Sequence, residues 1–283
     1  MSTPPPPPPV TTQPVLPPPA PVLELPRGGR SLLPEYRIVA YYGTIGGPTL
    51  GVLGQGSPDE AATALEAQAA AYAGYGRPVQ PAMELIATVA QGSPGADGRY
   101  SRGISARDVA RYLDAAHRFG QLLILDFQPG NGDFVSQIRQ YEQFLLDPSV
   151  GVAVDPEWRV GPGVVPGTII GAASAAEVNA AAAYVSALTV ANDLPEKAFI
   201  IHQFRLSMLP DRAAIVPQDG LAMIIHADGE GSIPAKLVSY AALGITATEF
   251  FAGFKVFYAR DPDVMAPDQV MALDPVPDLI SYQ

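Results

Sequence analysis

The chain has 283 residues, 48% of them hydrophobic and 16% charged, which is material for one large α/β domain or two small ones with an ample core. A formal net charge of −11 excludes a phosphate-binding nucleic-acid surface and disfavours an anionic membrane, so a neutral or cationic partner fits better. The absence of cysteine removes disulfides, thiolate metal sites and cysteine nucleophiles.

Residues 1–34 begin "MSTPPPPPPVTTQPVLPPPAPVLELP", which has neither the n-region nor the apolar h-region of a signal peptide. Proline in this density predicts an extended, disordered spacer. Spacers of this kind commonly join an anchor or leader to an exported domain. The expected location is therefore extracellular or attached to the cell envelope, with a leader that preceded Met1. A cytoplasmic tail or a ligand for a proline-binding module is the other reading. No window approaches the roughly 20 apolar residues needed to cross a bilayer.

From residue 35 to 283 apolar runs alternate with helical patterns. "YRIVAYYG" (36–43) reads as a strand, and residues 57–76 as a helix with Ser57 and Glu60 forming a capping box. "MELIATVA" (83–90) is the second strand. The helix over 105–120 follows, capped by Ser105 and ended by Gly120. "QLLILDF" (121–127) leads to a helix over 133–146. "VGVAVDPEW" (150–158) leads through a long loop, with "TIIGAAS" (168–174) inside it, to a helix over 174–193 with Ser174 and Glu177 as its capping box. Strands at 197–204, 220–229, 253–259 and 278–283 complete the set, with helices over 234–244 and 266–273. Eight near-continuous apolar strands separated by helices predict a parallel sheet, and the repeat length favours a closed (β/α)8 TIM-type barrel over a doubly wound sheet.

A barrel places its chemistry at the carboxyl ends of its strands. Those ends carry Tyr42, Gln91, Asp126 with Gln128, Asp155 with Glu157, His202 with Gln203, His226 with Asp228, Lys255 with Tyr258, and Tyr282. The candidate catalytic acids are Glu157, Asp155, Asp126 and Asp228. Tyr42, Gln128, Trp158, His202, Gln203, His226, Lys255 and Tyr258 are candidate substrate-binding residues. Asp155 and Glu157 share strand parity, so both are expected to face the barrel mouth. Two acids in one small volume do not ionise equally; one becomes a proton donor beside a charged partner, the pairing that glycoside hydrolysis uses. Trp158 and the tyrosines offer flat apolar faces for sugar rings.

The "DPE" at the end of the fourth strand resembles the catalytic strand of family 18 chitinase-like and family 25 muramidase-like hydrolases. The resemblance implies Glu157 as the acid and Asp155 as the group that supports it or orients a substrate N-acetyl group. The longer acidic signature of the chitinases is missing, because only hydrophobic residues precede Asp155. Overall the chain is also similar to secreted actinobacterial barrel proteins, a resemblance that implies no activity.

The expected function is hydrolysis of a cell-wall or extracellular polysaccharide by carboxylate acid/base catalysis, with a carbohydrate or other neutral polymer as partner. A non-catalytic carbohydrate-binding or scaffold barrel is the alternative, and a metal-dependent hydrolase using His202, His226 and nearby aspartates a further one. No His-x-His or His-x-x-x-His spacing occurs, and no P-loop, dinucleotide loop or Gly-x-Ser-x-Gly elbow, so no metal or cofactor is expected. The glycine-rich segments 43–56 and 91–103 are expected to form mobile lids, the second bringing Arg99 and Arg102 to the substrate.

Overall fold

The apolar runs pair in parallel around a closed ring. A computed structural model of the chain describes residues 1–4, 22–246 and 250–283; most of the proline-rich segment lies outside the described residues. The strands are β1 (Arg37–Gly43), β2 (Val79–Ala90), β3 (Ser101–Gly103), β4 (Leu122–Phe127), β5 (Val150–Val154), β6 (Lys197–His202), β7 (Leu221–Ala227), β8 (Phe251–Val256) and β9 (Leu279–Tyr282). β3 is a short antiparallel addition to the end of β2. The other eight are parallel, and β1 pairs with β2 on one side and β9 on the other, which closes the barrel.

The helices are α1 (Pro58–Ala70), α2 (Ala106–Phe119), α3 (Phe134–Arg139), α4 (Glu142–Leu145), α5 (Ala175–Ala191), α6 (Ile233–Leu243) and α7 (Pro267–Met271). Their ends follow local chemistry. Ser57 with Glu60 and Ser174 with Glu177 form reciprocal capping boxes, Ser105 caps α2, and Gly120 ends it in the left-handed conformation. The single helix expected over 133–146 is instead two. Tyr141 leaves helical geometry between them, and its Oη donates to the Ala87 and Ile104 carbonyls, each 2.9 Å away. Between β6 and β7 the chain makes only 3-10 turns, one of them over Arg212–Ala214.

Period-two alternation sends one side chain of each strand inward and the next outward. The outward set packs under the helices as a continuous apolar layer that includes Leu85, Leu125, Val152, Phe199 and Ile225. The inward set is apolar only in the lower half of the barrel. Ile38, Ala40, Ala82, Ile124, Ala153, Ile200, Ala222 and Ile224 fill it, and Gly151 is small because a Cβ there would lie 2.9 Å from the Ala198 carbonyl oxygen. Two residues further along the chain in each case, the inward positions become Tyr42, Glu84, Asp126, Asp155, His202, His226, Lys255 and Ser281, all buried. The barrel therefore has an apolar floor and an ionisable upper layer.

Residues 22–34, grouped with the proline-rich tail by composition, close the bottom of the barrel. Leu25, Leu32 and Leu33 join the inner core. The Leu32 and Leu33 amides donate to Glu196 Oε2 at 2.6 and 2.9 Å, and Arg27 and Arg30 pair with Glu66 and Asp193. Leu32 is fully buried, so Leu32→Ala is expected to cost about 2–5 kcal/mol of stability. Chemical denaturation should show a lower midpoint with an unchanged slope.

Candidate active site

The upper layer opens into a cavity of about 550 Å³ at the carboxyl end of the strands. Its lining includes Tyr42, Gln128, Asp155, Glu157, Trp158, Phe204, Asp228, Glu230, Lys255 and Phe257. Asp155 and Glu157 reach it by a route the strand pattern does not show. β5 stops at Val154, and Pro156–Trp158 form a 3-10 turn capped by Asp155, whose Oδ1 accepts the Glu157 amide at 3.0 Å. The parity expected of one continuous strand does not apply, yet the turn delivers both acids to the same wall. Gly171 holds that turn down: its amide donates to the Glu157 carbonyl at 2.7 Å. A Cβ at Gly171 would overlap the carbonyl oxygens of Pro156, Glu157 and Arg159.

Below the cavity lies a buried polar network centred on His202. His202 Nδ1 is 2.9 Å from Asp228 Oδ2, and Nε2 is 2.9 Å from Glu84 Oε1. Asp126 Oδ1 lies 3.9 Å from the same Nε2, while Asp126 Oδ2 accepts from Tyr42 Oη at 2.9 Å. Gln128 Nε2 donates to Tyr42 Oη at 3.3 Å. His226 Nε2 and Ser281 Oγ are 2.9 Å apart. Among the described residues, Glu84 Oε2, Asp126 Oδ1, Asp228 Oδ1 and His226 Nδ1 are buried atoms without a hydrogen bond.

The pKa directions separate these groups. Burial opposes charge on His202, but its hydrogen bonds to Asp228 and Glu84 outweigh that and hold it well above the ordinary imidazole value. Burial also opposes ionisation of Asp228, and the His202 hydrogen bond and charge reverse the balance, so Asp228 lies below the usual carboxylate range. For Asp155 burial dominates, and despite the nearby His202 charge its carboxyl is pushed well up. Glu157 is raised to about 7 by burial and then by the charge of Asp228. Asp126 is raised to about 6 by burial, against the pull of His202. Burial and His202 hold His226 well below its ordinary value.

The comparisons are sparse. No known protein-family profile and no curated protein matches the chain. Among solved structures, the chain is similar to a GH18 chitinase from Pseudoalteromonas aurantia, at 12% identity and a TM-score of 0.43, over 87% of this chain and 93% of that one. A similarity this loose has no bearing on activity; the barrel assignment stands on the strand order alone.

The sequence candidates thus divide by depth. Tyr42, Gln128, Asp155, Glu157, Trp158, Asp228 and Lys255 line the cavity. Asp126, His202 and His226 sit beneath it, fully buried. Gln203 follows the inward-facing His202 and points the other way, bonded to Arg212 Nη1 at 2.8 Å. Tyr258 stacks on Tyr282 with ring centres 5.2 Å apart and lines a smaller neighbouring hollow. Neither Arg99 nor Arg102 lines the main cavity. Segment 43–56 is folded against the barrel, with Leu53 in the core and Leu50 at the cavity wall.

Glu84 is the residue that sequence reasoning missed. Its signal was present: a carboxyl in the middle of "MELIATVA" must find a buried partner. Among the described residues two sets, Glu84 with His202 and His226, and Asp155 with His202 and Asp228, each bring three possible ligand atoms within 4.8 Å of one another. Both depend on His202, whose two nitrogens already share protons with Asp228 and Glu84, so a cation in either set would have to take the place of one of those protons. The arrangement matches a protonated imidazole clamped between two acids.

Proposed function

We propose that this chain is a glycoside-hydrolase-like enzyme in which Glu157 is the general acid and Asp228 the ionised carboxylate that acts with it. The observation that supports the reading is the opposed tuning of two cavity-lining acids: Glu157 is raised to about 7, whereas Asp228 is held below the usual range by His202. Pairs of acids pushed apart in this way serve as proton donor and charged partner. Asp155 is the support for Glu157, because its Oδ1 fixes the Glu157 amide and its carboxyl is itself raised. Asp126 holds Tyr42 from below.

The substrate is a carbohydrate that enters between Trp158, Phe204 and Phe257, which give the cavity aromatic faces beside its acids. An extracellular or cell-envelope polysaccharide suits both this open cleft and the proline-rich segment ahead of the barrel. Glu157 protonates the glycosidic oxygen, and the Asp228 charge stabilises or attacks the opposite face of the sugar.

The test is release of new reducing ends from a panel of plant, fungal and bacterial polysaccharides. Hydrolysis of at least one is expected, and Asp228→Asn should lower its rate by at least about tenfold, since the isostere removes the charge. A panel without any hydrolysed member overturns the reading in favour of a binding barrel.

A further inference from the structure

The acids that line the cavity all have something to neutralise them, and two of the cations do not. Asp228 meets His202, and Glu230 pairs with Arg260 at 3.0 Å. Asp155 and Glu157 are the acids whose ionisation burial opposes. Lys255, by contrast, is 3% exposed and lines the wall. Its Nζ lies 3.4 Å from the centre of the Tyr42 ring and 5.3 Å from that of Phe257. Among the described residues this Nζ has neither a hydrogen-bond acceptor nor a carboxylate in ion-pair range. At the rim, Arg205 lies over the Phe204 ring at 5.6 Å and, among the described residues, also pairs with no carboxylate.

An aromatic face offsets part of the cost of burying a cation. It accepts none of the directed hydrogen bonds that an ammonium's three N–H groups make in water. Lys255 therefore carries an unmet demand for oxygen acceptors, aimed at the space a substrate would fill. The chain's net charge of −11 acts at long range and is screened by salt. At the cavity wall Lys255 and Arg205 place two cations that no carboxylate among the described residues pairs with.

We propose that the Lys255 ammonium receives the carboxylate of an acidic sugar, so that the preferred substrate is a glycan bearing uronic-acid-type units. This proposal rests on the glycosidase reading and narrows its substrate class. Arg205 extends the positive wall toward the solvent, where a second carboxylate of a polymer would lie.

Trp158 is the only tryptophan in the chain and lines the cavity, so its fluorescence reports occupancy. D-glucuronate titrated into the intact protein is expected to bind at least about tenfold more tightly than D-glucose. D-glucuronamide, which keeps the shape and loses the charge, should bind at the level of glucose. Lys255→Met should abolish the preference for glucuronate, and Lys255→Arg should keep most of it. The three sugars on the unaltered protein decide the matter even if Lys255→Met fails to fold. Equal binding of all three overturns the proposal and leaves the glycosidase reading intact, because that reading is judged by reducing-end release. Inorganic sulfate binding as well as glucuronate overturns it too, as a site for any oxyanion.

Discussion

Glu157→Gln is expected to reduce glycan hydrolysis by about 10²–10⁴-fold while leaving the fold and sugar binding in place. The amide matches the carboxyl in shape, so Trp158 fluorescence should still report ligand with little change in affinity. It has no acidic proton to give a leaving oxygen. Glu157 suits the role because it is raised to about 7, by burial first and then by the charge of Asp228. It is therefore still largely protonated under mildly acidic conditions. The unaltered enzyme should accordingly lose activity as the pH rises through about 7, and that alkaline limb should be missing from the residual activity of Glu157→Gln. Retention of most of the rate by the variant would assign the proton donor to another group.

Period-two alternation places each element of this barrel but not the depth of its inward residues. Strand identity and helix caps are legible because each depends on neighbours in the chain: apolar runs, Ser57 with Glu60, Ser174 with Glu177, Gly120 in the left-handed conformation. Barrel closure, which pairs Ile38 with Leu279, follows from the number of repeating units. Parity also decides between adjacent candidates, since His202 faces inward and Gln203 cannot then do so. Depth was not legible. Whether an inward residue lines the cavity or lies beneath it depends on the stagger of one strand against the next. Glu84 pairs in register with Tyr42 on β1 and with Ile124 on β4, yet Asp126, the next inward residue after Ile124, is the one that bonds to Tyr42. The bend at Asp155 was hidden for a related reason. Besides the local Asp155 cap, the long-range approach of Gly171, which follows a loop with no periodic pattern, holds the Pro156–Trp158 turn in place.

His202→Leu is expected to destabilise the protein by about 3–5 kcal/mol at neutral pH, because it removes the buried partner of two acids at once. The replacement has a similar volume, so the cost comes from the acids rather than from a void. Asp228 Oδ2 and Glu84 Oε1 would each lose the hydrogen bond they now share with the ring. The pH dependence gives the effect a signature. His202 has a higher pKa folded than unfolded, so its contribution is complete below the ordinary imidazole value and is lost as the pH rises through the folded one. Asp228 is shifted the other way; its contribution is present above the ordinary aspartate value and is lost as the pH falls through its depressed one. Asp126, raised to about 6, and Glu157, raised to about 7, take up protons on folding, so they also make the fold weaker as the pH rises. His226 and Lys197, both lowered by burial, act in the opposite sense, but His202, Asp155, Asp126 and Glu157 outweigh them, so the unaltered protein should be more stable in denaturant at about pH 5.5 than at about pH 8. The gap between it and His202→Leu should narrow at both extremes: below the ordinary aspartate value, where Asp228 takes a proton, and at alkaline pH, where the His202 contribution is lost. A variant whose midpoint matches the unaltered protein across this range would show that His202 is not the charge that holds the network together.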